Sequence, residues 1–244
     1  NWGDGYEYGL RWSFWDGRVE SNWTYYTNNQ RNTGAITPTT ATLNEMETLF
    51  PNFDRAGADT QSTNSRGIEI ETVTNITRNW RLIFNFGSSE LETVDRLPVS
   101  RAFQAGARAL GVATPLLDQF IANRPDGTPV AGYTKNRANL VTNFRFSRGK
   151  LKGLSIGGGF QYRDRTYAGN GDLDRDGVSE MIWWPGYTLA NAGAGYEAKL
   201  GQRSVRFNLT INNVLDQDYR RASGLTGGLW GSPRSYRLSM RTQF

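Results

Sequence analysis

Residues 205–212 read VRFNLTIN, and this stretch decides the fold. The apolar positions in it are Val205, Phe207, Leu209 and Ile211, and the polar positions are Arg206, Asn208, Thr210 and Asn212. Successive side chains of a β-strand point to opposite faces of the sheet. The period of two therefore predicts a strand with one apolar face and one polar face.

The same alternation recurs in three other segments, Trp80–Gly87, Leu154–Arg163 and Tyr236–Phe244. With the remaining apolar segments it predicts nine strands in all. They are expected near residues 5–15, 18–28, 66–77, 79–88, 136–147, 153–168, 186–199, 203–215 and 233–244. A helical spacing of apolar residues from Arg101 to Asn123, broken at Pro115, predicts a helical segment inside one connection.

The connections between these strands alternate strictly between short turns and long loops. The turns are expected at 16–18, 77–79, 147–152 and 200–202, and the loops at 29–65, 89–135, 169–185 and 216–232. Bacterial outer-membrane barrels show this alternation, with the long loops outside the cell. A soluble β-sandwich is the alternative, but its strands usually have about 5–6 residues. We therefore predict an all-β protein, an antiparallel transmembrane β-barrel with long extracellular loops.

The composition is compatible with a barrel and excludes several other functions. Mean hydropathy is negative, but a transmembrane β-strand needs only about 9–11 residues, of which every second one is apolar. The chain has no His and no Cys, which excludes a Ser-His-Asp triad, a cysteine nucleophile and an ordinary zinc site. We expect no enzyme. The net charge of +5 comes without a basic, aromatic-rich cluster, so no nucleic-acid partner is expected.

The strand count indicates an incomplete barrel. The last strand follows a long loop and so runs toward the short-turn side, and the first of nine strands must run the same way. Two edge strands with the same direction cannot close an antiparallel barrel, and single-chain bacterial barrels have even strand numbers. We therefore expect residues 1–244 to be about nine strands of a larger barrel, with the remaining strands upstream.

The segment NLTINNVLDQDYR at 208–220 resembles the penultimate-strand motif of TonB-dependent receptors. The residues that carry this match are Asn213, Leu215, Asp216, Asp218 and Tyr219. The segments LKGLSIGGGFQYRDRTYAGN at 151–170 and YEYGLRWSFWDGRVESNWTYY at 6–26 are similar to other strands of the family. The final residue, Phe244, resembles the C-terminal signature by which the barrel-assembly machinery recognises its clients.

The resemblance implies the last nine strands of a barrel of about 22 strands with a plugged lumen, and a plug domain that is absent from residues 1–244. It implies import of a scarce large solute, of the siderophore, cobalamin or glycan class, across the outer membrane of a Gram-negative bacterium. The implied partners are outer-membrane lipid, the imported ligand and TonB, which would act through the N-terminal region. The alternatives are another outer-membrane barrel, such as a porin-like channel or an adhesin, and a secreted calcium-dependent carbohydrate-binding β-domain.

The stretch GDLDRDGVSE at 171–180 predicts a calcium site. Asp172, Asp174 and Asp176 alternate and Gly177 follows, as in the first half of a calcium-binding loop. Position 12 is Trp183 rather than the glutamate of an EF-hand. The alternative is an acidic, solvated loop tip.

Two further sets of residues are candidates for function. Trp183, Trp184 and Trp230 lie near loop–strand junctions, where tryptophan belongs either to the interfacial aromatic belt or to a surface that stacks on a sugar or an aromatic ligand. The residues expected to face the wet lumen and the plug are Arg206, Arg163, Arg145 and Asn143.

Overall fold

The computed structural model describes residues 2–33, 35–52, 59–175, 179–201, 203–223 and 227–243. Nine long strands form one antiparallel sheet. They are β1 (Trp2–Phe14), β2 (Val19–Arg31), β5 (Ser62–Thr77), β6 (Trp80–Val94), β7 (Asn136–Arg145), β8 (Leu154–Arg163), β11 (Tyr187–Leu200), β12 (Arg203–Asn212) and β15 (Ser235–Gln243). The order in the sheet is β1-β2-β5-β6-β7-β8-β11-β12-β15, so every long strand pairs with its neighbours in sequence.

Shorter elements lie in the long loops at one end of this sheet. The strands are β3 (Ala35–Ile36), β4 (Asp59–Thr60), β9 (Thr166–Gly171), β10 (Glu180–Trp184), β13 (Arg220–Ser223) and β14 (Gly227–Trp230). The helices are α1 (Thr40–Leu49), α2 (Pro98–Ala109) and α3 (Pro115–Ala122). No helix in the described part of the chain is long and apolar enough to cross a membrane.

The nine predicted strands are confirmed, but three extents differ by more than three residues. Strand β5 begins four residues before its predicted start, β6 ends six residues after its predicted end, and β8 ends five residues early. The segment predicted as a single strand at 153–168 is two elements, because β8 ends at Arg163. Arg163 is the last residue that pairs with both neighbouring strands. Thr166 instead bridges to Thr134 in a loop and begins β9, which pairs with β10. The alternation stops in a polar run, Arg163, Asp164, Arg165 and Thr166, and the predicted strand extended across it.

The pairing register places most of the large apolar residues of the nine strands on one face, while Val73, Ile83 and Val141, for example, lie on the other. Residues directly opposite each other in an antiparallel pair lie on the same face. On β12, Leu209 lies opposite Leu238 of β15 and, on its other side, opposite Ala194 of β11. The row of direct partners then continues strand by strand through Ile156, Phe144 and Trp80. From Phe86 on β6, the same face continues through Ile70, Trp23 and Leu10. This face is exposed, with Leu238 at 76% of its full accessibility, as a surface that contacts lipid requires.

The opposite face of the sheet is polar. In the register, the side chains on this face include those of Arg206, Arg163, Arg145 and Asn143, as predicted. On the part of the polar face nearer β1 there are acidic residues, among them Glu69 and Glu71 on β5. Near β15 the polar face is basic, and Arg206 lies directly opposite Arg241. A one-residue slip of any strand would exchange the two faces, so the register and the face assignment are one constraint.

Much of the apolar burial lies in the loops. Met46, Leu97, Leu117, Phe120 and Ile121 form a buried cluster. We call this unit, made of α1, α2, α3 and Leu97, the helical cap. The predicted helical segment is confirmed as α2 and α3. Helix α2 already ends at Ala109, and Pro115 lies at the N-terminal position of α3. Helix α1 was not predicted, because only Thr42 and Met46 of it are buried and its apolar pattern is weak.

Two carboxylates from the first long loop hold the helical cap together. Asp59 accepts hydrogen bonds from the backbone N–H groups of Val99 and Ser100, at 3.1 and 2.7 Å. Glu45 does the same for Leu116 and Leu117, at 3.0 and 2.8 Å. Neither α2 nor α3 has a side-chain N-cap of its own. The unpaired N–H groups of both helix starts are therefore satisfied from another loop, which ties the two loops to each other.

The register predicts opposite effects of the same substitution at neighbouring positions of β12. In the full-length protein, Leu209→Arg places a charge on the lipid face and should lower the free energy of unfolding by about 2–4 kcal/mol if it lies near the bilayer midplane. Asn208→Arg places the same charge on the polar face, opposite Gly195 and Ser239, and should be mild. Reversible unfolding of both variants in lipid or detergent measures the difference.

Asn208 is a better control than Thr210 on the same face. Thr210 lies directly opposite Arg237, and two like charges at that pair would repel each other. Equal penalties at Leu209 and Asn208, or the larger penalty at Asn208, would show that the two faces have been exchanged.

A second prediction concerns the carboxylate that caps α2. Asp59→Asn turns an amide N–H₂ toward a backbone donor, since both carboxylate oxygens accept in the native protein. An unsatisfied buried donor costs about 1–3 kcal/mol, so the helical cap should open and be cleaved faster in limited proteolysis of the full-length protein. The matched control is Asp95→Asn, because Asp95 is exposed and, among the described residues, its ion pair is with Arg31. Equal cleavage rates in the two variants would contradict the capping role.

Candidate functional site

The long loops converge at one end of the sheet and contact each other. The hairpin β9–β10 attaches to the end of the loop that carries the helical cap. Gly132 donates its N–H to the carbonyl of Tyr167, and Tyr167 donates to that of Tyr133, both at 2.8 Å. The hydroxyl groups of Thr134 and Thr166 lie 2.9 Å apart in a buried hydrogen bond. Two loops that are separate in sequence thus form one surface.

The motif at 213–219 connects the two ends of the last long loop. Asn213 is buried, with 3% exposure. Its side-chain amide donates to the carbonyls of Gln217 and Ser232, and its Oδ1 accepts from the N–H of Gln217 at 3.0 Å. Its own N–H donates to Oδ1 of Asn191 on β11. The residue therefore joins β11, the start of the loop and the end of the loop, which is a structural role.

Other residues of the motif complete this connection. Asp216 accepts the N–H of Arg234, at 2.8 Å, just before β15 begins. The ring of Tyr219 packs against Tyr187, and a Cβ atom at Gly231 would collide with it. The motif therefore fixes the point where the chain leaves β12 and returns in β15, and only glycine fits at 231.

Trp183 lies against the loop surface rather than in the nine-stranded sheet. Its ring contacts those of Tyr167 and Tyr133, with centroids 5.3 and 6.5 Å away. The guanidinium of Arg165 lies 4.4 Å from the centre of the Trp183 ring. These contacts fix hairpin β9–β10 in place.

Trp184 and Trp230 come together from two different hairpins. The guanidinium of Arg220 on β13 lies 5.0 Å from the Trp184 ring and 4.6 Å from the Trp230 ring. One cation therefore bridges β10 and β14, and Trp230 keeps 63% of its surface exposed. The structure brings two of the three candidate tryptophans to the same arginine. Contact with a ligand stays a prediction.

The predicted calcium site also stays a prediction. Asp172 and Asp174 lie between β9 and β10, and Asp176 lies outside the described residues. Within the described residues, no three acidic, His or Cys side chains are close enough to hold a metal ion together. Phe244, the predicted signal for the barrel-assembly machinery, also lies outside the described residues.

Sequence reasoning missed a cleft between the helical cap and hairpin β9–β10, with a volume of about 580 Å³. We call it the loop cleft. Its described lining includes Gln61, Arg96, Arg124, Tyr167 and Asp172. These residues come from three loops and show no pattern in sequence.

The arginines of the loop cleft are partly desolvated. Burial lowers the pKa of Arg96, and the neighbouring Arg101 lowers it further, against opposing effects of Tyr167 and Asp126. Burial also lowers the pKa of Arg124, with a smaller contribution from Arg96. Both guanidinium groups remain protonated at neutral pH, because an arginine pKa lies far above it. Burial also raises the pKa of the Tyr167 hydroxyl.

The loop cleft lies on the polar side of the sheet. A second cavity of about 400 Å³ shares Val130 and Ala131 with it. The lining of that cavity includes Glu69, Gly87 and Arg137, which belong to the polar face. The loop around residues 130–131 therefore lies over the polar face, and the loop cleft opens above the side that becomes the lumen in a barrel.

A sheet with one lipid face, one polar face and loops gathered at one end defines part of the wall of a membrane-spanning β-barrel. A family model described as TonB dependent receptor-like, beta-barrel matches residues 3–214. The chain therefore belongs to the TonB-dependent receptor β-barrel family. Members of this family are transport receptors in the outer membrane of Gram-negative bacteria and not enzymes. The chain is thus part of an outer-membrane protein. A search of curated protein sequences gives no match.

Solved receptor structures share the fold. The ferripyoverdine receptor of the outer membrane of Pseudomonas aeruginosa superposes with a TM-score of 0.68 at 17% identity, over 98% of this chain and 26% of the receptor. BauA, the ferric preacinetobactin receptor from Acinetobacter baumannii, superposes with a TM-score of 0.63 at 19% identity, over 98% of this chain and 29% of the receptor. Fiu, the ferric-catecholate import receptor from E. coli, superposes with a TM-score of 0.62 at 17% identity, over 98% of this chain and 27% of the receptor. The chain thus spans less than a third of each of these receptors.

The hydrogen bonds of Asn213 generate a stability prediction. In the full-length protein, Asn213→Ala removes the side-chain partner of three partly buried backbone groups, at Gln217 and Ser232, and should cost about 1–3 kcal/mol. The variant should convert from folded to unfolded gel mobility at a lower temperature than the native protein. The neighbour Asn212 supplies the control, since its amide makes one exposed contact with Ser235, at 3.3 Å. If Asn212→Ala and Asn213→Ala shift the transition equally, the motif does not hold the loop ends together.

Proposed function

We propose that the full-length protein is a receptor that imports a ferric siderophore across the outer membrane with energy transduced by TonB. The observation that supports it best is the placement of a cleft built from several loops above the polar face of a barrel wall. Such a cleft is accessible from the loop side and lies above the interior path, as a receptor for import requires.

The siderophore class is favoured among the three classes that the sequence suggested. The three solved receptors described above are named for ferripyoverdine, ferric preacinetobactin and ferric catecholates. Their identity to this chain is below 20%, so they support the class of solute and not a particular molecule. No observation on the chain favours cobalamin or a glycan over a ferric chelate.

The sheet also supports further strands and a plug in the full-length protein. The edge strands β1 and β15 are eight positions apart in the antiparallel sheet order and therefore run in the same direction, so they cannot pair antiparallel with each other. An unpaired strand edge in lipid costs several kcal/mol for each unsatisfied backbone group. Additional strands would join these two edges, and a plug would occupy the polar side and carry the contact with TonB.

The test is uptake of radioactive iron by cells that carry or lack the full-length receptor. Under iron limitation, cells with the receptor should take up iron from at least one of ferripyoverdine, ferric preacinetobactin or a ferric catecholate. Deletion of the receptor should remove that uptake. Deletion of TonB should remove uptake while leaving binding of the ferric siderophore at the cell surface, because binding needs no energy.

The comparison of binding with uptake separates a receptor from a passive channel. A porin-like channel would carry iron chelates at the same rate with or without TonB, and that result would contradict the proposal. Equal uptake in the presence and absence of the receptor, for all three ferric siderophores, would contradict it as well.

A further inference from the structure

We propose that the loop cleft binds an anionic oxygen group of a soluble solute, a carboxylate or a phosphate, through Arg96 and Arg124. The inference rests on the proposed function and adds to it a chemical property of the solute. It concerns residues that the sequence pattern does not mark as functional.

Arg96 is held in place, but its charge is not neutralised by a carboxylate contact. Its Nη1 donates to the carbonyl of Pro125 at 3.4 Å and to the hydroxyl of Thr128 at 2.9 Å. Its Nε is buried and has no hydrogen-bond partner among the described residues. A buried, unmatched donor on a charged group is costly in a folded protein. The cost is reduced if a ligand supplies negative charge beside the guanidinium.

The nearest carboxylate does not take this place. Asp126 accepts the backbone N–H of Arg96 through Oδ1, at 2.9 Å, and its Oδ2 lies 3.7 Å from the guanidinium of Arg101. Within the described residues, Arg96 forms no ion pair. Asp126 therefore orients the start of the loop and leaves the charged end of Arg96 beside the cleft.

Arg124 faces the same cleft from the end of α3. Its Nη1 donates to the carbonyl of Phe120 at 3.1 Å, and its guanidinium lies 4.0 Å from the centre of the Phe120 ring. Neither contact carries a negative charge, and in the described part of the chain Arg124 makes no ion pair. The cation–π contact fixes the plane of the guanidinium, which prepares it for an oxygen anion without a large loss of side-chain entropy.

The composition of the lining matches an anion that also carries polar groups. Its described residues include two guanidinium groups and one carboxylate, that of Asp172, for a net charge of +1. The side-chain oxygen of Gln61 is a second buried polar atom without a partner among the described residues. The lining therefore offers positive charge together with an unmatched acceptor.

Positive charge continues below the loop cleft along the polar face. Arg137 on β7 and Arg163 on β8 lie directly opposite each other, an arrangement that is unfavourable for two like charges. Arg163 donates its Nε–H to the hydroxyl of Thr134 at 3.1 Å, and neither arginine has an ion pair among the described residues. The position on the polar side favours a soluble solute over a lipid headgroup.

The experiment measures anion binding by the purified full-length receptor in detergent without lipopolysaccharide. Isothermal titration at low salt uses two probes, citrate and inorganic phosphate. The native protein should bind at least one of them saturably. Arg96→Gln and Arg124→Gln should each weaken that binding by about tenfold or more, the loss expected for one charge-assisted hydrogen bond. Arg124→Lys, which keeps the charge, should weaken it less.

The matched control is Arg108→Gln on α2. Arg108 is an exposed arginine of the helical cap that pairs with Asp118 and does not line the cleft, so binding should not change. Limited proteolysis checks that each variant keeps its loops folded. If Arg96→Gln opens the loop, the result for Arg124→Gln decides. Among the described residues, the side chain of Arg124 makes one hydrogen bond, to the carbonyl of Phe120 on the preceding helix.

Three results would overturn the inference. They are no saturable binding of either probe by the native protein, unchanged binding in Arg124→Gln, and complete displacement of the bound probe by lipopolysaccharide, which would assign the cleft to a lipid phosphate. The titration contains neither TonB nor iron. Siderophore uptake with normal anion binding in Arg124→Gln would therefore refute only this inference, and anion binding without uptake would refute only the proposed function.

Discussion

The structure depends on one constraint, which is that each backbone polar group of a membrane-spanning strand must be hydrogen-bonded to a neighbouring strand, because lipid offers no partner. Pairing fixes a register, and the register fixes the face of every side chain, since the side-chain period is two. Between its nine strands, and except at the outer edges of β1 and β15, the chain meets this constraint with one consistent assignment of faces. Even a polar pair on the lipid face is internally satisfied, because the hydroxyls of Ser21 and Thr72 bond to each other at 2.7 Å.

The loops obey a different constraint and have a different source of stability. They lie beyond the sheet, where water can reach them, and they bury a small apolar cluster centred on Leu97 and Leu117. Carboxylates from one loop cap the helices of another, and Arg220 bridges two hairpins. Because these contacts join loops far apart in sequence, each loop is ordered by the others. The loop cleft forms because the loops order each other. Its two arginines, Arg96 and Arg124, therefore come from positions that are well separated in the sequence.

The sequence motif and the candidate binding surface have different roles. Asn213, the most connected residue of the motif, is buried and bonds to backbone groups at both ends of its loop. It thus serves the fold that the whole family shares. Arg96 and Arg124 serve no pairing that the sheet requires, and nothing in a single sequence separates them from other surface arginines. The tryptophans are an intermediate case, because their junction positions were visible in sequence but the cation between Trp184 and Trp230 was not.

The sequence by itself determined the sheet. Alternation and turn length set the number of long strands, their order and the face of residues such as Leu209 and Arg206, because these follow from local geometry with a period of two. Only the tertiary structure decided where β8 stops, that α1 forms, and that Asp59 caps a helix 41 residues away in sequence. Those outcomes depend on contacts between loops, which have no period, and the position of the loop cleft depends on them in turn.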